Sequence, residues 1–89
     1  MKLDSLIAGL QTVVACARTG AYGDASSNIN LCSQDLLTYL RSTPPDAQLL
    51  RKISYSLETL LMMQQAKDWV AVADVVEYEL IALLRQSAP

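Results

Sequence analysis

The stretch DWVAVADVVEYELIALL, residues 68–84, holds too many apolar side chains for one face of a surface helix and too many acids for a membrane span. Read at about 100° per residue, Trp69, Val72, Ala73, Val76, Leu80, Leu83 and Leu84 form one apolar stripe. Ala71, Val75, Tyr78 and Ala82 form a second stripe opposite the first, with the four, three, four spacing of a coiled-coil seam. Alanine permits close approach there, and tyrosine buries its ring while its hydroxyl stays wet. Asp74 and Glu79 border this second stripe. A helix of this kind needs apolar neighbours on two sides.

Working outward, Asp68 has the chemistry of an N-cap for that helix. Upstream, Leu50, Ile53, Leu57, Leu60, Leu61 and Gln64 trace the inner face of a third helix, while Tyr55, Thr59, Met62 and Ala66 repeat the outer spacing. Thr43-Pro44-Pro45-Asp46 reads as its start: a Thr cap, proline in the first turn, and an acid at the positive helix end. A second helix begins at an Asp24 cap and carries Ala25, Ile29, Cys32, Leu36, Tyr39 and Leu40 inward. The first carries Leu3, Leu6, Ile7, Leu10, Val13, Val14 and Ala17, and stops at Gly20 to Gly23. Its outer side is small and uncharged (Ser5, Ala8, Gly9, Thr12), which suits close packing of a second neighbour or plain exposure. The expected fold is all-α: a four-helix bundle of two antiparallel helical hairpins, spanning about 4–19, 24–42, 44–67 and 69–86, in one domain over 1–89.

The two halves align at a shift of 47 residues. Leu10 to Val14 then falls on Leu57 to Leu61, Tyr22 on Trp69, Ile29 on Val76, Leu36 on Leu83 and Leu37 on Leu84. Two readings stand: a duplicated hairpin with an aromatic at each turn, or the passable alignment that any two amphipathic helices reach.

Composition narrows the function. Hydrophobic residues are 52% and charged ones 18% of the 89, a globular balance that excludes a disordered chain. A domain this small buries only about 60 to 70% of its unfolded surface, so self-association is a reasonable expectation. The net charge of −2 and seven scattered basic residues offer no stripe for nucleic acid, which is not expected as a partner. No apolar run reaches the roughly 18 residues of a membrane span. Lys2 followed by LIAGLQTVVAC resembles a lipoprotein signal ending at Cys16, but Asp4, Gln11 and Thr12 interrupt it and its apolar positions keep helical spacing.

Catalytic chemistry finds little material. Histidine is absent, which removes the commonest general base and the Ser-His and Cys-His pairs. Three glycines in no phosphate-binding pattern argue against nucleotide chemistry. Two cysteines cannot complete a structural zinc site, and no oxygen-rich loop suits calcium. Neither a metal nor a cofactor is expected, nor is a small-molecule ligand. Cys16 and Cys32 flank the first turn, so either a disulfide or two reduced thiols is open. Asp74 and Glu77, three residues apart, share a helix face; Glu79 does not join them, and a solvated border is the plainer role for these acids.

In DWVAVADVVEYELIALL an acid, an aromatic and a valine open a helix that carries Ala-Asp and Glu-Tyr-Glu-Leu. This quarter of the chain resembles short, uncharacterised bacterial helical proteins, a resemblance that implies no known activity. In size and bundle shape the chain is also similar to small flagellar export chaperones. The expectation is a cytoplasmic, non-enzymatic interaction or adaptor module. It would homodimerise, or bind a partner helix, through Tyr55, Met62, Ala71, Val75, Tyr78 and Ala82 on the outer face of the second hairpin. Two alternatives remain: a different packing of the four helices covers that face internally, or the protein is an envelope protein lipid-anchored at Cys16.

Overall fold

The apolar spacing resolves into helices along nearly the whole chain. A computed structural model describes residues 3–88. It contains α1 (Leu3–Thr19), α2 (Tyr22–Ser42), α3 (Ala47–Gln65) and a fourth helix over 69–86. That last helix has three consecutive parts: α4 (Trp69–Asp74), a π-helical segment (Val75–Leu80) and α5 (Ile81–Gln86). Among the described residues there is no strand.

Both hairpins turn by the same device. At the end of α1, Gly20 takes φ 84°, and the left-handed step lets the Ala21 N–H reach back to the Cys16 carbonyl at 2.9 Å. At the end of α3, Lys67 takes φ 58° and the Asp68 N–H donates to the Met63 carbonyl at 3.0 Å. Positions 20 and 67 stand at the shift that aligns the apolar stripes, so the correspondence of the halves extends to the backbone of their turns. Glycine adopts this conformation freely, whereas Lys67 does so against roughly 1 kcal/mol of steric cost.

The helix starts correct two sequence expectations. Asp68 caps the fourth helix as read, its carboxylate accepting the Ala71 N–H at 3.1 Å. The cap of α3, however, is Asp46, which accepts the Leu49 N–H at 2.9 Å. Thr43 instead closes α2 by donating its N–H to the Tyr39 carbonyl, and Pro44 and Pro45 precede α3 rather than entering its first turn. Likewise α2 starts at Tyr22 rather than behind Asp24, since the turn at Gly20 delivers the chain straight into helical geometry.

Pairs at the helix ends define the topology. Arg18 near the end of α1 bonds Asp74 near the start of the fourth helix, so these two run antiparallel. Tyr22 at the start of α2 stacks on Trp69 at the start of the fourth helix, with ring centroids 4.9 Å apart and planes 5° from parallel. At the far end the Tyr39 hydroxyl meets Ser87 Oγ at 3.1 Å, so α2 and the fourth helix run parallel. The four helices form the expected bundle of two antiparallel hairpins, with up-down-up-down topology, in which α1 packs closely on α2 and on the fourth helix, and α3 chiefly on the fourth helix. One core joins all four helices: Leu6, Leu10, Ile29, Ile53, Leu60 and Leu80 are essentially inaccessible.

Two core assignments shift. In α3 the buried face is Ile53, Ser56 and Leu60, with Leu49 and Met63 partly buried beside it, while Leu50 and Leu61 are exposed. The helix is therefore turned from the expected face towards Leu49 and Ser56. In the fourth helix the buried positions Val72, Val76, Leu80 and Leu84 recur every four residues. An α-helix would let such a series drift by 40° per step. The π segment, in which the Ile81 N–H donates to Val76 five residues back, takes more residues per turn and holds the series in line. The equivalent buried series in α2, Ala25, Ile29, Cys32 and Leu36, keeps ordinary α spacing. The fourth helix thus carries one residue more than α2 between its second and third core positions. This is why Leu37 is exposed although its partner at shift 47, Leu84, is fully buried.

Candidate interaction surface

The side chains of the second hairpin that point away from the core come from two ridges. On α3 they are Tyr55 and Met62, 68% and 63% exposed, seven residues and two turns apart. On the fourth helix Tyr78, 70% exposed, rises from the π segment, with Ala82 exposed one turn further. Thr59 and Ala71 are half-buried, and Ala66 is exposed. Val75 is half-buried and packs against the core, so this member of the expected outer stripe serves both sides. The cause is the π segment: beyond Asp74 the faces no longer follow 100° per residue, and Val75 and Tyr78 part company.

Between α3 and the fourth helix, beside Tyr55, lies an open, mainly apolar cleft of about 410 Å³, lined by Arg51, Lys52, Tyr55, Glu79 and Leu83. Two cations and one carboxylate stand at its rim. This cleft escaped the sequence reading because Arg51 and Lys52 lie on a helix whose rotation was misassigned. The adjacent basic pair was nevertheless visible as a pair.

On the opposite flank of the fourth helix, Arg18 donates to Glu77 at 2.7 Å and to Asp74 at 3.2 Å. Asp74 and Glu77 share a face as the sequence indicated, and that face borders α1. The bonds to Glu77 and then to Asp74 raise the guanidinium pKa above its ordinary value. All three side chains remain solvated, so the trio acts as a surface clasp between α1 and the fourth helix.

The cysteines are free. Cys32 is buried with its sulfur over Gly9, where an added Cβ would lie 2.9 Å away. Gly9 is seven residues before Cys16, roughly 10 Å along the axis, so the two thiols face different levels of the hairpin. Burial first, and the Asp35 charge second, push the Cys32 thiol pKa up, which makes it a poor nucleophile. The Ser56 hydroxyl is buried without a hydrogen-bond partner, as is that of Ser33. Among the described residues no three His, Cys, Asp or Glu side chains are grouped to hold a metal ion.

Fold and surface together define an all-α protein built as a compact helical bundle. The chain belongs to the DUF8042 family, a domain of unknown function whose family model matches residues 2–88. Comparison with curated proteins and with solved structures finds no match. The family model covers nearly the whole chain, says nothing of a bacterial origin, and brings no activity with it.

Proposed function

We propose that the protein is a non-enzymatic interaction module that docks a second copy or a partner helix on the outer face of its C-terminal hairpin. The observation that carries this reading is the exposure of Tyr55, Met62 and Tyr78, each more than three-fifths accessible, on the two helices of one hairpin, with an apolar cleft beside Tyr55. Side chains of these types are favoured anchors at protein interfaces, and a π segment inside a helix recurs at functional positions. The cleft is an open groove between two helices, which suits several apolar side chains of a docked helix better than a small ligand buried on most of its surface. A cytoplasmic setting belongs to the same proposal; among the described residues no helix is long and apolar enough to cross a membrane.

The lipid-anchored alternative is disfavoured by packing. Cleavage before Cys16 would remove Leu6, Ile7, Leu10 and Val13, all buried. Their burial contributes roughly 6 to 12 kcal/mol in total, comparable to the whole stability of a small domain. Lys2, which supplied the charge of the signal-like start, lies outside the described residues.

The test compares wild type with Tyr78→Glu for self-association by light scattering and for capture of other proteins. The expected result is loss of association with an unchanged helical circular dichroism signal. Association that survives Tyr78→Glu unaltered, or a variant that unfolds as a monomer, would remove this face from consideration.

A further inference from the structure

We infer that the C-terminal end of the fourth helix has two registers, the one described above and a second rotated by about 100°, and that the π segment is the device that exchanges them. In the second register Leu83 enters the core and Ile81 leaves it. The exchange stands on the helix itself, and only its consequence for docking rests on the proposed function above.

Both registers are written in the apolar pattern. At a constant 100° per residue or so, Val72, Val76, Leu80 and Leu83 make one unbroken inward stripe. The structure buries Val72, Val76, Leu80 and Leu84 instead, because the π segment takes in one extra residue. Leu83 is left half-buried at the margin of the core, where it lines the cleft. Two adjacent leucines thus compete for one core position, and the pitch of residues 75–80 decides between them. Returning that segment to α geometry turns everything beyond it by about one residue's angle, which brings Leu83 inward, moves Leu84 to the margin and carries Ile81 to the outside.

The part that must turn is the part held least. Of the three parts of the fourth helix, α5 packs most lightly on α1 and α3. The Arg18 clasp grips Asp74 and Glu77, at or before the middle of the π segment, and so holds the start of the helix while its end rotates. Beyond Glu77, the one side-chain hydrogen bond to another helix among the described residues is that of Ser87 with Tyr39, at the last turn. Rotation gains ordinary helical hydrogen bonds and the burial of Leu83, and loses the burial of Ile81, which is only 4% exposed here. The second register is therefore the minor one, in the range of about 0.1 to 10% that a gap of a few kcal/mol allows. Its effect falls on the docking face: Leu83 leaves the wall of the cleft, and Ile81 appears one helical turn from Tyr78.

The experiment follows a thiol placed at position 81 of the full chain, Ile81→Cys with Cys16→Ser, reacting with a soluble thiol reagent. Tyr78→Cys gives the rate of a position exposed in both registers, and the native Cys32, read in every chain, gives the rate of opening of the bundle. The thiol at position 81 is expected to react about 10 to 1000 times more slowly than that at position 78, as the minor population requires, yet at least about tenfold faster than Cys32. Relative to Cys32, Leu84→Ala should speed the reaction at least about threefold, because it removes the side chain that holds the first register, and Leu83→Ala should slow it by as much, because it removes the one that the second register buries. Deleting Glu79 gives the first register ordinary α geometry and should bring the rate down to that of Cys32. Simple fraying of α5 would speed the reaction in both alanine variants, so changes of equal sign overturn the exchange, as does a thiol at position 81 that reacts no faster than Cys32. Should Ile81→Cys lose the wild-type helical signal, amide hydrogen exchange of residues 79–82 in chains carrying only Leu83→Ala or Leu84→Ala reads the same opposite signs. The docking face is judged apart from this, by Tyr78→Glu, whose outcome leaves the register measurement untouched.

Discussion

Gly9 sits on α1 directly beneath Cys32 of α2, and replacing it with alanine sets two effects of opposite sign against each other. In the interior of a helix, alanine is favoured over glycine by about 0.5 to 1 kcal/mol because it loses less backbone entropy. Here, however, the new methyl carbon would stand 2.9 Å from the Cys32 sulfur, closer than real contacts allow. Cys32 has a single side-chain torsion on a helix that restricts it, and it is already buried, so relief requires α1 and α2 to separate. Overpacking of this kind costs about 1 to 3 kcal/mol, and the expected net effect of Gly9→Ala is a loss of about 0.5 to 2 kcal/mol. The decisive assay is a double-mutant cycle with Cys32→Ala, read by urea unfolding. With the sulfur gone, Gly9→Ala should become neutral or stabilising, giving a coupling of about 1 to 3 kcal/mol. If Gly9→Ala stabilises the otherwise native chain, or the coupling falls below about 0.5 kcal/mol, the close approach of α1 and α2 at this point is refuted.

Further outcomes are expected at the two turns, at the π segment and at the cysteines. Lys67→Gly relieves the left-handed strain at the end of α3 and should stabilise by about 1 kcal/mol, a rise of roughly 4 to 8 °C in melting temperature, whereas Gly20→Ala should lose a similar amount. Deleting the exposed Glu79 should convert the π segment to ordinary α spacing and leave a cooperatively melting helical protein, because the buried series then recurs as it does in α2. Deleting Asn30 from α2 would turn Cys32, Leu36 and Tyr39 by about 100° and should abolish the cooperative melt, as seen by circular dichroism. In the native protein a thiol reagent should modify Cys16 well before Cys32, whose reaction should require opening of the bundle. Since the folded state raises the Cys32 pKa, the folded protein holds that proton more tightly than the unfolded chain. Its contribution to stability is complete below the ordinary thiol range and should fall as pH rises beyond it, a trend that Cys32→Ala removes.

The sequence by itself determined the number of helices, their order, the Asp68 cap and most of the core, because these depend on neighbours three or four residues apart. Leu6, Leu10, Val13, Ile29, Val72 and Val76 were legible as inward residues from periodicity alone, and all are buried. Tyr55, Met62 and Tyr78 were legible as outward ones, and all are exposed. The rotation of α3 was not legible. Ile53 and Leu60 were read as inward and are buried, with Leu57 half-buried beside them, but only the close packing of α3 on the fourth helix adds Leu49 and Ser56 to that face and leaves Leu50 and Leu61 exposed. Nor was the π segment, since helix wheels assume a constant turn. The extra residue is accommodated because Val72, Val76, Leu80 and Leu84 must all reach one core, and their burial outweighs the strain of a widened turn. The Arg18 clasp and the Arg51–Lys52 cleft also needed the tertiary structure, because each joins side chains of different helices, the first and fourth in one case and the two of the second hairpin in the other. Local spacing settles which residues seek the interior; which neighbour they find there is decided only when the helices pack.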